Sequence, residues 1–529
     1  MKEENIFMMK KTYKLACILL ALLLALTACG TAPSSSQPAA SPSTANSTGT
    51  SQGGILKIAV SDDWSTFDPF FQISLANRVY NPMLFETLIR LGNGKYEPGL
   101  ATEWSFNDDY TQITLKLREN VKFQDGSDFT AEDVVWNIER AKNTEAGYHI
   151  TEYFSNCVEA QATDPHTVVI TWASSDFKIE DALSRLYLIC PETADDVATH
   201  PVGTGPFALE EWSPSDHATF VKNEYYWDEG KPYLDGVELS IITDAQSRAI
   251  NLVSGNVDIV DNISTQDIGM ILENDNLSIK ENVPPEYKNF SMNITRAPFD
   301  NQLVRQAIAH AVDREAVRDM VYDGEGDIRY LPIVSTSEFY PQDLEDYYPY
   351  DLEKAKELLV EAGYPDGFEF TLTVNMGIDG CLEQAQILQS SLSQIGVTVT
   401  LEPLESASFF PRLTDGDFDM VSFGTGEPIL DPSAYFDGAA VARTARNFFG
   451  IEEDTFPEYT QMIKQAASEM DKDKRIQLYH DILQIMVEQS WTIPVTSTVT
   501  KVGVNESVQG FEVDNTAGEY HLEAVSLAE

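Results

Sequence analysis

Two stretches of this 529-residue chain hold side chains of the right kinds to grip a polar ligand. Near the first apolar strand stand Trp64, Phe67 and Phe70; beyond an apolar segment ending at Phe423 stand Glu427, Asp431 and Tyr435. Aromatic rings with a few placed charges are the usual lining of such a site, and loops leaving the C-terminal ends of strands are where α/β proteins build one. Each ring taken singly suits core packing better, and each carboxylate suits a solvated surface better.

Signatures of catalysis are missing. There is no Gly-x-Ser-x-Gly elbow, no His-Glu-x-x-His and no Gly-rich loop ending in Gly-Lys-Ser/Thr. Gly203-Thr204-Gly205-Pro206-Phe207-Ala208 mimics a dinucleotide fingerprint, but Pro206 would interrupt the opening of a helix, so a tight turn is expected. Asp415, Asp417 and Asp419 lack the downstream Gly and Glu of a calcium-binding hand and read as a solvated turn. No cofactor and no metal are expected. With 84 Asp and Glu residues, spacing alone cannot single out a glycosidase pair.

The elements that would position these residues alternate between strand and helix. Ile55–Val60 alternates as a strand, and Ile113, Leu115 and Leu117 share one face of another. Thr130-Ala131-Glu132-Asp133 reads as a variant capping box opening a helix through Val134, Val135 and Ile138. Leu303, Val304, Ala307, Ile308, Ala311 and Val312 recur as one buried helical face. Asp351 caps a helix over 352–362 that Gly363 stops, a further helix covers 382–395, and a strand covers 418–423 after an Asp415-Gly416 turn. Alternation of this kind implies an α/β fold with mixed sheets.

The chain opens with Lys2, Lys10, Lys11 and Lys14 ahead of an apolar run, 15–28, too short to span a bilayer but suited to a secretion signal. The run ends Leu26-Thr27-Ala28-Cys29, which resembles the lipobox of bacterial lipoproteins. That resemblance implies cleavage before Cys29 and a diacylglycerol on its sulfur, two acyl chains being enough for stable anchoring. Losing residues 1–28, with four Lys and two Glu, takes the formal charge from −49 to −51. Such acidity argues against unaided nucleic-acid binding and fits solubility in a salty space outside the cytoplasm. Residues 30–53, rich in Ser, Thr, Pro, Ala and Gly, form a flexible tether reaching about 25 to 30 Å. Cys157, Cys190 and Cys381 remain: either Cys157 pairs with Cys190, or all are unpaired thiols.

From residue 53 onward a series of segments carries a family likeness. Gly53-Gly54-Ile55-Leu56-Lys57-Ile58 with Phe67-Asp68-Pro69, then Glu97-Pro98-Gly99-Leu100-Ala101-Thr102-Glu103-Trp104, then Phe123-Gln124-Asp125-Gly126 with Thr130 to Val134, run in order. Pro201-Val202-Gly203-Thr204-Gly205-Pro206-Phe207, Asn223 to Trp227, Lys231 to Val237, Val304 to Ile308, Val312-Asp313-Arg314 and Gly416-Asp417-Phe418-Asp419 complete it. The whole resembles the extracellular solute-binding proteins of family 5, the oligopeptide-, dipeptide- and nickel-binding components of ABC importers. The resemblance implies a two-lobed periplasmic-binding-protein-like fold of type II with an extra subdomain. Lobe I would comprise 54–83, 201–288 and 495–529, the subdomain 84–200 and lobe II 289–494, with hinge crossings near 288–292 and 491–495. It further implies a monomer with permease and ATPase partners, outside the cytoplasm and on the membrane through Cys29, capturing peptides. Peptide-binding members pair the peptide's ammonium with a carboxylate in the loop after the strand holding Phe418 to Phe423. Here Glu427, or else Asp431, would take that role, and Arg443 and Arg446 would face a carboxylate or simply balance an acidic surface. The alternatives are a receptor for a nickel or metal chelate or an oligosaccharide, a ligand sensor for a membrane partner, and an exported hydrolase.

Overall fold

The computed structural model describes residues 53–529 apart from 72–74, 93, 145, 147, 176, 283–285, 427–429, 437–450, 452–454, 498, 514–517 and 529. The signal, Cys29 and the tether therefore lie outside the described residues. Three large mixed or antiparallel sheets organise the rest, and among the described residues no helix is long and apolar enough to cross a membrane.

The first sheet runs Leu277–Asn282, Thr500–Asn505, Ile259–Val260, Ile55–Val60, Gly236–Ile241, His217–Lys222 and Phe207–Ser213. Ile55–Val60 lies between two parallel partners, so both its faces are covered: Leu56, Ile58 and Val60 face one core and Ala59 the other. The second sheet is antiparallel, ordered Ala101–Phe106, Gln112–Leu117, Thr167–Trp172 and Cys157–Asp164. Ile113, Leu115 and Leu117 point into its core as their spacing requires. The helix Ala131–Ala141 starts at the expected box, with the Thr130 N–H donating to Asp133 Oδ2 at 2.7 Å. This subdomain and the first sheet share one continuous apolar core.

The third sheet runs Thr398–Leu404, Glu369–Asn375, Met420–Gly426, Glu286–Met292 and Thr492–Ser497. It separates two cores. One is built with the helices Gln302–His310, Leu352–Glu361 and Cys381–Ser393, the other with Pro457–Ala466 and Lys472–Gln489. Asp351 caps its helix as read, accepting the Lys354 N–H at 2.9 Å, and Gly363 follows with φ +91°.

Several expectations shift. The Asp415-Gly416 pair is the C-terminal end of an unforeseen helix, Ser406–Asp415, with Gly416 in the left-handed region at φ +65°, and the strand begins at Met420. Asp417 and Asp419 are engaged rather than simply solvated: Arg296 donates to Asp417 at 3.1 Å, and the Thr371 N–H donates to Asp419 at 3.0 Å. The segments 288–292 and 491–495, read as crossings, lie almost wholly within strands of the third sheet. The chain passes between the first and third sheets from Asn282 to Glu286 and from Ser497 to Thr500. Lys288, Asn289 and Ser291 look like linker residues but are buried, with Ser291 Oγ donating to Thr492 Oγ1 at 2.8 Å. Cys157, Cys190 and Cys381 are free buried thiols, the second of the two alternatives. The turn at Gly203 and Gly205 packs against a helix end instead of a phosphate: a Cβ on Gly203 would lie 2.3 Å from the Leu84 carbonyl oxygen.

Candidate functional site

Where the first and third sheets face each other, a cavity of about 580 Å³ is lined by residues of both. The first sheet supplies Ser61, just past the end of Ile55–Val60, and Asn262, just past Ile259–Val260. These are the C-terminal ends of parallel strands, where α/β sheets bind ligands. The third sheet supplies Lys288 on the strand Glu286–Met292, with Tyr322, Asp379 and Gly380 beside it.

Arg248 shapes the first wall. Fully buried on the helix Ala245–Val253, it donates to the carbonyls of Ile242 at 2.7 Å, Thr243 at 2.9 Å, Asp261 at 3.2 Å and Asn262 at 2.8 Å. Four bonds from one planar fork lock the two loops that follow the strands. Asp261 sits beside it, 3.7 Å from Nε, and accepts the Ser61 N–H at 2.9 Å. Burial pushes the Asp261 carboxyl up to about 6 against the pull of Arg248 and Ser61.

On the other wall the Lys288 ammonium lies 4.6 Å from the centre of the Tyr322 ring, and burial lowers its pKa. Between the walls, Lys501 of the first sheet pairs with Glu325 of the second lobe. The cavity thus carries both signs of charge on a partly apolar floor, suited to a polar or zwitterionic solute rather than a purely apolar one. Among the described residues, no adjacent nucleophile, base and oxyanion donors are brought together on it.

The residues singled out from the sequence lie elsewhere. Trp64, Phe67 and Phe70 are each at most 3% exposed. Trp64 packs on Phe67 at 5.0 Å and Tyr80 at 5.8 Å, Phe67 meets Trp212 edge-on at 5.0 Å, and Phe70 lies under Arg140, which pairs with Asp68 at 2.6 Å. They serve the first lobe's core. Asp431 is paired with Arg475 and accepts the Ser433 N–H at 2.9 Å, so its charge already has a partner. Tyr435 is buried with its hydroxyl 2.9 Å from that of Tyr287. Glu427, Arg443 and Arg446 lie outside the described residues.

The cavity residues were missed because little marks them. Lys288 alone leaves a trace, the one basic side chain in the run 286–292. Ser61, Asn262 and Tyr322 are ordinary residues whose role depends on where three separate strands end.

Comparison with known proteins matches this architecture. The family described as "Bacterial extracellular solute-binding proteins, family 5 Middle" matches residues 95–445. The glutathione-binding protein GsiB of Salmonella typhimurium is 32% identical over 358 residues, covering 66% of this chain and 69% of that protein. Among solved structures, the periplasmic binding protein DppA of Helicobacter pylori, in complex with peptide STSA, superposes with a TM-score of 0.79 at 25% identity, covering 90% of this chain and 99% of that one. NikA of Brucella suis, in complex with Fe(III)-EDTA, gives 0.80 at 25% identity, over 90% and 100% of the two chains. The chain belongs to the bacterial extracellular solute-binding proteins of family 5, substrate-binding components of ABC importers and not enzymes.

Proposed function

We propose that this protein captures peptides or closely similar small polar solutes between its two lobes and hands them to a membrane permease driven by cytoplasmic ATPases. The observation that carries the reading is the two-walled cavity of about 580 Å³ at the C-terminal strand ends, large enough for a short peptide and lined by both signs of charge. The glutathione-binding relative and the peptide-bound DppA structure support that class of ligand. The lobe built on the first sheet and the lobe built on the third would close on the solute by hinge motion where the chain crosses between them, from Asn282 to Glu286 and from Ser497 to Thr500, its contacts to both lobes biasing the closed state. Glu427 is the residue assigned to the solute's ammonium, since Asp431 is taken up by Arg475. The protein works as a monomer, anchored outside the cytoplasm by lipid on Cys29.

Mass spectrometry of small molecules released from natively isolated protein, together with melting shifts across di- to hexapeptide mixtures, tests the reading. A bound peptide and a ligand-dependent rise in melting temperature are expected. No shift with any peptide removes the peptide assignment. The similarity to NikA bound to Fe(III)-EDTA favours a second reading, an anionic metal chelate held near Lys288, which the same spectra would reveal as copurified metal.

A further inference from the structure

We propose that the four-stranded subdomain is a latch across the cleft, with Phe177 clasping the Arg475–Asp431 pair of the second lobe and holding the closed form without help from a solute. A row of rings leads to the contact. Phe106 stacks on Tyr110 with centroids 4.6 Å apart and planes 13° from parallel, and Tyr110 meets Phe177 at 5.3 Å. The next member belongs to the other lobe: the Arg475 guanidinium carbon lies 3.6 Å from the Phe177 ring centre. Arg475 projects from the helix Lys472–Gln489, donates Nε–H to the Ala466 carbonyl at 3.1 Å and donates through Nη2 to Asp431. Phe339 and Tyr479 lie about its guanidinium with ring centres 5.6 and 5.9 Å away.

The arrangement has the features of a preformed receptor. Nε and Nη2 of Arg475 are held by its own lobe, so the guanidinium is immobilised before any ring arrives and little conformational freedom is lost when Phe177 docks. What its own lobe leaves open is a flat cationic face, which an aromatic ring covers well. Opening the lobes would strip the ring from the guanidinium and rewet both. The contact spans subdomain and second lobe, so it exists only in the closed form and shifts the closed-to-open ratio by about 2- to 30-fold, the range of a cation–π contact.

Hydrogen exchange of the full chain, read by mass spectrometry with no solute added, tests this whatever the cleft captures. Phe177→Leu should speed exchange on both sides of the contact, at 106–112 and at 431–436, by about 2- to 30-fold. Phe177→Trp, which keeps a ring, should match the parent. Arg475→Lys, which keeps the charge beside Asp431 but loses the planar face, should reproduce Phe177→Leu, and the double variant should go no further than either single change. A melting temperature within about 2 °C of the parent excludes general unfolding as the cause. Parent-like exchange in Phe177→Leu and in Arg475→Lys overturns the latch, as does faster exchange confined to the subdomain.

Discussion

Arg248 in the first lobe and Arg475 in the second are both buried beside an aspartate, and the two pairs are used differently. In the first lobe Arg248 spends its donors on four carbonyls of its own loops and stands 3.7 Å from Asp261. In the second, Arg475 grips Asp431 directly, takes one carbonyl and leaves a face for Phe177. A guanidinium saturated within its own lobe can only position backbone, whereas one with a free face can register the arrival of the other lobe. Residue type is the same in both places; the unspent face makes the difference.

Breaking the pairs one at a time sharpens that contrast. Arg248→Met should cost the most, about 3 to 5 kcal/mol of unfolding free energy in denaturant titrations, because it strands carbonyls and a buried carboxylate together. Arg475→Met should cost less, about 2 to 3 kcal/mol, since Asp431 keeps its bonds to Ser433. Equal losses would mean that the two arginines are equivalent scaffolds.

The aspartates allow a subtler comparison through pH. Asp261 has a folded pKa of about 6, above its ordinary 3.8, so the native state holds a proton that the unfolded chain releases earlier. Stability from this group therefore falls as pH rises from about 4 to 6 and stays reduced above that, by an amount on the order of 3 kcal/mol. Asp261→Asn should flatten the profile in that window, measured as unfolding free energy against pH. Smallest should be Lys501→Met, which breaks the pair with Glu325 between lobes. With Glu325 37% exposed, about 1 kcal/mol or less is expected in melting experiments, and the loss should shrink in high salt.

Legibility in the sequence followed the range of the interactions. The helices Ala131–Ala141 and Leu352–Glu361 were readable because cap and apolar period lie within a dozen residues. The strand Glu286–Met292 was misread as a crossing because its Lys288, Asn289 and Ser291 are polar, and only their sheet neighbours reveal that they are buried. Trp64, Phe67 and Phe70 stand out in the sequence as an aromatic group, yet composition is the same for a core and a ligand wall. Asp431 was visible as a charge in a loop, but Arg475 lies 44 residues further on with no pattern linking them.

Alternation of strand and helix, the acidic character and, through motifs kept in order, the family follow from local patterns along the chain. These depend on local periodicity and on chain order, both written along one dimension. Tertiary structure alone decided which side chains face the cavity, where the chain crosses between sheets and that Phe177 meets Arg475. Those outcomes arise when strands remote in the chain end at the same place, so the free energy of each contact belongs to a meeting of segments and to no single segment.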